Sequence, residues 1–109
     1  NIVSKAEIFN GCAISESDSN APNIRLVTSQ AADELLMVSD VYASFVIFQT
    51  PDGTVSVSAR SYGKINVQII MELMGGGGHQ TMAATQIKNT TKADVKRKLI
   101  EVINDVLSA

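Results

Sequence analysis

Two neighbouring segments in the middle of the chain carry the apolar and polar pattern of a β-hairpin. The run YASFVIFQ, at 42–49, is rich in aromatic and β-branched residues, and the run TVSVSARS, at 54–61, alternates strictly between apolar and polar positions. Between them lies TPDG, whose proline and glycine suit a tight reversal. The pattern predicts a hairpin whose second strand places Ser56, Ser58 and Arg60 together on a polar face.

Apolar residues at helical spacing predict three helices. The first spans 23–38 with Asn23 as its N-cap, and the second spans 66–74 with Asn66 as its N-cap. The third begins at Thr91, which has an acidic residue three positions later, as in a capping box. Each helix has one apolar side, so each is expected to pack against another element.

Two further runs complete the predicted elements. FNGCAIS, at 9–15, is expected to form a buried strand, and MAATQIK, at 82–88, a short strand. The resulting order of strand, helix, hairpin, helix, strand and helix favours an α+β or α/β fold, in which helices pack on a small mixed β-sheet. A length of 109 residues with 45% hydrophobic content suits one domain over 1–109. Because Asn1 is not an initiator methionine, we expect the chain to be a piece of a longer protein.

Charge and cysteine content exclude several classes of protein. The net charge of −2 argues against a surface that holds long nucleic acid through its phosphates, although a small anionic ligand remains compatible. The single cysteine, Cys12, cannot form an internal disulfide, which fits a reducing compartment, and is expected to be a small buried apolar residue. No apolar run has the length of a membrane span, so we expect a soluble chain.

The segment GGGGH, at 75–79, contains four consecutive glycines and the only histidine of the chain. It is not a Walker loop, because His79 and Gln80 occupy the positions of the required lysine and hydroxyl residue. Nor does it match a dinucleotide fingerprint, because Gln80 stands where the third glycine belongs. Glycines do allow backbone N–H groups to converge on an anion. We therefore expect Gly77 to have either a positive φ or a ligand phosphate within contact distance.

Structural explanations for the same residues remain open. A glycine run can simply end a helix and turn the chain, and a lone histidine is often a structural residue. Arg60 can equally be an ordinary surface arginine on a strand. The methionines near the glycines are expected to fill the core; they are Met71, Met74 and Met82. Four glycines beside a histidine nevertheless favour a binding role over a connector.

The segment SVSARSYGKINVQIIMELMGGGGHQTMAATQI, at 56–87, resembles the C-terminal, DHH-associated substrate-binding domain of the DHH phosphoesterases. The signature of that domain is a Gly-Gly-Gly-His run followed by a pair of alanines. Within the superfamily, SARSYG, NVQIIM and GGGGHQTMAATQ are most similar to the membrane-anchored cyclic-di-AMP phosphodiesterases of Gram-positive bacteria. Thr85 stands where exonuclease-like members usually carry glycine, which favours the cyclic-dinucleotide branch.

The resemblance implies a role for individual residues. Substrate phosphate would be bound by Gly75, Gly76, Gly77, Gly78 and His79. Arg60, helped by Ser58 and Ser61, would contact phosphate or base. In the family, hydrolysis of the phosphodiester to the linear dinucleotide takes place at a two-manganese centre in the preceding DHH domain. This chain has no Asp-His-His triplet and one histidine, so it is expected to bind and orient substrate but to be inactive alone.

The resemblance also implies partners and a location. The partners would be a cyclic dinucleotide, a preceding DHH catalytic domain on the same polypeptide and, in the parent protein, a second copy in a homodimer. The domain would be cytoplasmic and would not touch the membrane, while its parent would be anchored there.

Two other functions remain open. The chain can belong to an oligoribonuclease or single-strand exonuclease of the same superfamily. It can also be a tRNA-binding module similar to the C-terminal domain of alanyl-tRNA synthetase. The net negative charge and the content of 3 Phe and 2 Tyr weigh against tRNA binding, which calls for a basic face.

Overall fold

The computed structural model describes residues 2–18 and 22–108, and the other positions of the expected domain 1–109 lie outside that part. In chain order the elements are β1 (Glu7–Phe9), β2 (Cys12–Glu16), α1 (Ile24–Leu35), β3 (Ala43–Gln49), β4 (Val55–Ser61), α2 (Val67–Glu72), β5 (Gly77–His79), β6 (Met82–Ile87) and α3 (Lys92–Ser108). The strands form one sheet in the order β1-β2-β3-β4-β6-β5. The β2–β3 pair is parallel and the other pairs are antiparallel. The sheet is therefore mixed, as predicted.

The predicted central hairpin is confirmed, and Ser56, Ser58 and Arg60 share one face of its second strand as predicted, but helix α1 covers that face. β3 and β4 pair along their whole length, from Ala43 opposite Ser61 to Gln49 opposite Val55. Helix α1 packs across the side of β4 that carries its polar residues. Consequently Ser58 is buried and the Arg60 side chain is 13% exposed. Arg60 thus lies between the sheet and a helix, not on an open strand face.

Two apolar clusters lie on opposite faces of the sheet. The larger one joins β3 and β4 to α2 and α3, and its largest side chains include Phe45, Met71 and Leu99. The smaller one joins the sheet to α1 through residues such as Leu35 and Val46. Apolar residues of β3 face both helical layers, and α1 also covers the polar side of β4, so both hairpin strands are buried on both sides.

The strand predicted at 9–15 is instead a short hairpin. Asn10 and Gly11 form the turn between β1 and β2, with φ angles of 52° and 76°. Positive φ at both central residues is typical of a type I′ turn, for which Asn-Gly is a favoured sequence. Cys12 follows the turn and is fully buried, as predicted. Burial raises the pKa of its thiol to about 11, so the thiol stays protonated at neutral pH.

Two of the three predicted helix caps are confirmed. The Asn66 side chain accepts hydrogen bonds from the backbone N–H groups of the second and third residues of α2. The Thr91 hydroxyl accepts one from the N–H of Asp94 at 3.1 Å. The cap predicted at Asn23 is wrong, because its side chain makes no capping hydrogen bond in the described structure. The first two helices also end earlier than predicted, at Leu35 and Glu72.

A hydrogen bond connects the C-terminal end of α2 to β6. Gly75 has a φ of +85°, and its N–H and that of Gly76 donate to the carbonyls of Glu72 and Met71 at 3.1 and 2.8 Å. This pair of hydrogen bonds forms a Schellman motif. The buried Thr85 hydroxyl donates to the carbonyl of Met74 at 2.9 Å. Thr85 therefore satisfies a helix-end carbonyl that would otherwise be buried without a partner.

None of the helices over 2–18 and 22–108 combines the length and apolar character needed to cross a bilayer.

We predict that Thr85→Val lowers the free energy of unfolding by about 1–3 kcal/mol, because it keeps the side-chain shape but leaves the Met74 carbonyl buried without its donor. Thr81→Val is the matched control, since Thr81 is exposed in the turn between β5 and β6. That control should change stability by less than about 0.5 kcal/mol. Urea denaturation measures both, and equal stability of the two variants would contradict a role for this hydrogen bond.

Candidate functional site

Helix α1 covers the middle of one sheet face and leaves β6 and β5 open on that side. Exposure along β6 alternates accordingly: Met82, Ala84 and Gln86 are exposed, whereas Ala83 and Thr85 are buried against the core. A cleft of about 360 Å³ lies beside α1 on this open strip. Its lining consists of Arg25, Ser29, Phe48, Ser58, Arg60, Gly77, Gly78, Met82, Ala83 and Ala84.

The strand register fixes how the cleft is arranged, because directly opposed residues point to the same face of a sheet. Ser58, Ala84 and Gly77 lie opposite one another on β4, β6 and β5 and form a floor of small residues. The adjacent row towards one end contains Arg60, Met82 and His79. The adjacent row towards the other end contains Phe48, Ser56 and Gln86. The cleft is thus deepest over the small residues in the middle and is bordered by larger side chains at both ends.

The four glycines occupy four different environments. Gly75 ends α2, and a Cβ on Gly76 would lie 2.1 Å from the carbonyl oxygen of Ala84. Gly78 has a φ of +144°, and a Cβ there would lie 2.5 Å from the Cα of Ala83. These three glycines are required by the fold itself.

Gly77 differs from the other glycines of the run. The positive φ considered for it is not found, and a Cβ there would have no described atom within 4 Å beyond its chain neighbours. Gly77–His79 form the edge strand β5 and not an open loop. Because Gly77 lies opposite the exposed Ala84, its missing side chain leaves space in the floor of the cleft. A ligand can therefore reach the backbone at this position.

Arg60 is held in place before any ligand arrives. The Nε of Arg60 lies 3.5 Å from Oδ1 of Asp33 on α1. The Nη1 of Arg60 donates to the carbonyl of the preceding residue, Ala59, at 2.9 Å. Among the described residues the buried Nε has no hydrogen bond of good geometry. An arginine with a fixed side chain loses little conformational entropy when it binds an anion.

Arg25 is a cleft residue that the sequence reasoning missed. It lies in the first turn of α1, with its Cζ 5.8 Å from the centroid of the Phe48 ring. With the Gln86 amide turned so that its oxygen accepts, both terminal guanidinium nitrogens lie 3.2 and 3.3 Å from that oxygen. The sequence offered one signal for Arg25. A cation near a helix N-terminus is electrostatically unfavourable, so its presence there calls for a role other than helix stabilisation.

The structure brings together only part of the predicted site. Ser58, Arg60, Gly77 and Gly78 line the cleft, whereas Ser61, Gly75, Gly76 and His79 do not. The buried Ser61 hydroxyl donates to the carbonyl of Gln80 and accepts from the N–H of Gly63, both at 3.2 Å. His79 is exposed at the sheet edge, beside the cleft and on the same face as Arg60.

The methionine prediction is confirmed in two cases of three. Met71 and Met74 are buried in the larger core cluster, but Met82 is 52% exposed. Met82 does not fill the core, because the exposed side of β6 points it towards the cleft.

A second groove, of about 460 Å³, lies between α1 and the N-terminal segment and contains none of the predicted site residues. At its rim, hydrogen bonds from Lys92 and Lys5 lower the pKa of Asp18 to about 2.

Over 2–18 and 22–108, no three His, Cys, Asp or Glu side chains come together in a way that would hold a metal ion. The described residues therefore do not form a site for the manganese centre, which the resemblance places in the preceding DHH domain.

Comparison with known proteins gives a family match and several relatives of this chain. The DHHA1 domain family matches residues 15–109. The cyclic-di-AMP phosphodiesterase GdpP of Geobacillus thermodenitrificans is 48% identical over 87% of this chain, and PdeA of Listeria monocytogenes, a protein of the same description, is 44% identical over 94%. The chain spans 14% and 16% of the lengths of these two relatives.

The fold also recurs in a solved structure. An exopolyphosphatase-related protein from Bacteroides fragilis superposes with a TM-score of 0.75 over 99% of this chain and 34% of its own. At 16% sequence identity, this likeness concerns the fold alone. It supports the α+β arrangement of one mixed sheet between helices.

Neighbouring glycines should respond oppositely to alanine. We predict that Gly76→Ala lowers the free energy of unfolding by at least about 2 kcal/mol, because the new methyl group would collide with the backbone of β6. Gly77→Ala should fold normally and be unchanged or slightly more stable, since its Cβ points into open space at a φ that alanine accepts. Thermal and urea unfolding measure the difference. Equal destabilisation of both variants would contradict the assignment of Gly77 to the cleft floor.

Proposed function

The chain belongs to the DHHA1 domain family, and from this membership we propose that it is the substrate-binding domain of a cyclic-di-AMP phosphodiesterase. In this role it binds the cyclic dinucleotide and presents one phosphodiester to a DHH catalytic domain on the same polypeptide. Hydrolysis there yields the linear dinucleotide. The two relatives with this description, at 44% and 48% identity, support the choice of substrate.

The observation that carries the proposal is the convergence of Arg60, Ser58 and Gly77 on one cleft. Arg60 and Arg25 give the cleft two positive charges, and an arginine fork suits phosphate oxygens. Between them, the small floor of Ala84 and Gly77 allows a phosphate to approach the backbone closely. The cleft thus combines charge complementarity with space for an anionic ligand.

Each residue contributes to positioning and not to bond cleavage. Arg60 fixes the phosphate through charge-assisted hydrogen bonds, and the Ser58 hydroxyl offers a neutral donor beside it. His79, at the open edge of the same face, lies where a ligand extending beyond the cleft would meet it. Holding the phosphodiester in one orientation lowers the entropic part of the reaction barrier.

We assign the metal chemistry of the reaction to the DHH domain. A manganese pair held by that domain would supply activation of the attacking water and neutralisation of charge on the phosphate. No residues of the described chain form a fitting metal site, so no step of the reaction is assigned to them. A membrane-anchored parent, a cytoplasmic position for this domain and a homodimer remain part of the proposal, supported by the family resemblance.

A direct binding test uses the chain itself. We predict that cyclic-di-AMP shifts the NMR resonances of cleft residues in the wild-type chain and that added manganese produces no hydrolysis. Gly77→Val should keep the fold, because valine suits a strand and the position is open, but should abolish binding by filling the floor. The matched control, Thr81→Val, lies in the adjacent turn outside the cleft and should bind normally.

Three results would contradict this function. Normal binding by a folded Gly77→Val variant would mean that the ligand does not use the cleft. Binding of short single-stranded oligonucleotides but not of cyclic-di-AMP would favour the exonuclease branch of the superfamily. Steep loss of tRNA affinity with added salt, without cyclic-di-AMP binding, would favour a tRNA-binding module.

Arg60 should contribute in a salt-dependent manner. We predict that Arg60→Ala weakens cyclic-di-AMP binding by about 10- to 100-fold at low salt, the range of a hydrogen bond to a charged group. The loss should shrink at higher ionic strength. Arg60→Lys should recover part of the affinity, since it keeps the charge but loses the fork.

The control for Arg60 is Arg97→Ala on α3, an exposed arginine paired with Asp94. Isothermal titration at two salt concentrations measures all of these variants, with circular dichroism to verify folding. If Arg97→Ala weakens binding as much as Arg60→Ala does, the effect is general electrostatics and the cleft assignment fails.

A further inference from the structure

Arg25 and Phe48 form a structural unit at the end of the cleft opposite Arg60. The Phe48 ring is buried, with 1% of its surface exposed, so it cannot itself receive a ligand. Arg25 is exposed and lies over that ring at 5.8 Å. Arg25 and Phe48 both line the cleft, so the part of the exposed guanidinium group that does not face the ring is accessible to a ligand. A flat cationic surface is thereby presented to the ligand.

Two contacts restrain the guanidinium group of Arg25. The Phe48 ring supports the guanidinium from below, and the Gln86 amide oxygen lies beside its terminal nitrogens. Ser29, one helical turn after Arg25, continues the same wall of the cleft. An arginine restrained in this manner can stack on a planar ring with little loss of side-chain entropy.

The spacing along the strands fits a nucleotide. The row containing Phe48 and Gln86 lies two residues along β4 from the row containing Ser58 and Gly77, which corresponds to about 7 Å. A phosphate on the floor therefore leaves room for its sugar and puts the attached base near Arg25. Gln86, whose amide oxygen accepts from Arg25 and whose amide NH2 group is a donor, lies where the edge of that base would be.

Resting on the proposed function, we infer that the outer face of Arg25 is a nucleobase-stacking subsite, with Gln86 at the base edge. Arg25 then determines the preference for nucleotides over other phosphates, whereas Arg60 and the floor bind the phosphate that all such ligands share. If Arg25 were a second phosphate contact instead, a lysine at this position would serve nearly as well.

The test compares two ligands that carry the same phosphate but differ in the base, namely adenosine 5′-monophosphate and ribose 5-phosphate. In the wild-type chain we expect the adenosine nucleotide to bind about tenfold more tightly, within the range of one base stacked on a side chain. Arg25→Lys keeps the positive charge and should reduce that preference to less than about twofold, mainly by weakening binding of the nucleotide. Arg97→Lys, a matched change at an exposed arginine on α3, should keep the tenfold preference. NMR titration detects weak binding of both ligands and reports folding in the same spectra.

The outcomes separate this inference from the proposed function. If both ligands bind wild-type cleft residues equally, the base subsite is wrong and the phosphate site stands. If Arg25→Lys keeps the preference for the nucleotide, stacking on the guanidinium is likewise wrong. If neither these ligands nor cyclic-di-AMP binds to the cleft, the proposed function fails and the subsite with it. Loss of the preference in Arg25→Lys alone supports the subsite.

Discussion

The sheet is wider than the helix that covers one of its faces. Helix α1 packs over β3 and β4, and the strip formed by β6 and β5 remains open beside it. Apart from the exposed Met82, the strip does not carry the large apolar side chains that would favour aggregation. The small residues Ala84 and Gly77, which limit the apolar surface here, also create the depth of the cleft. Both properties follow from the mismatch between sheet width and helix coverage.

Three glycines of the run are required by the fold, whereas Gly77 leaves space in the floor of the cleft. Gly75 and Gly78 adopt backbone angles that favour glycine, and Gly76 lies too close to β6 for a side chain. Gly77 has neither constraint, so the fold alone does not explain its lack of a side chain. The close approach of α2 to β6, fixed by Thr85, brings Gly77 to the edge of the sheet. The structural glycines thus position the one whose open backbone faces the cleft.

Local sequence signals predicted much of the fold. The central hairpin follows from strict alternation around a turn, and the Asn66 and Thr91 caps follow from side chains acting on the nearest backbone N–H groups. The type I′ turn at Asn10 and Gly11 was also encoded locally, but an apolar run on both sides obscured it. Asn23 has the right residue type for a cap and yet does not act as one, because residue type alone does not set side-chain direction.

The candidate site was less predictable, because its residues come from distant parts of the chain. Family resemblance indicated Ser58, Arg60 and the glycines, but alternation along β4 could not reveal that α1 would cover Arg60. The contribution of Arg25 depends on which helix packs beside which strand, a long-range property that periodicity does not contain.

The ion pair of Arg60 with Asp33 explains how a largely buried arginine can still serve an anionic ligand. A guanidinium has five N–H donors, so a carboxylate near Nε and a backbone carbonyl at Nη1 leave donors for a ligand. Asp33 is 67% exposed, and solvent screens its charge more than that of Arg60, which is 13% exposed. The pair therefore fixes the arginine without cancelling its field inside the cleft. An anion that enters replaces water around a cation already in position, so most of the ordering has taken place during folding.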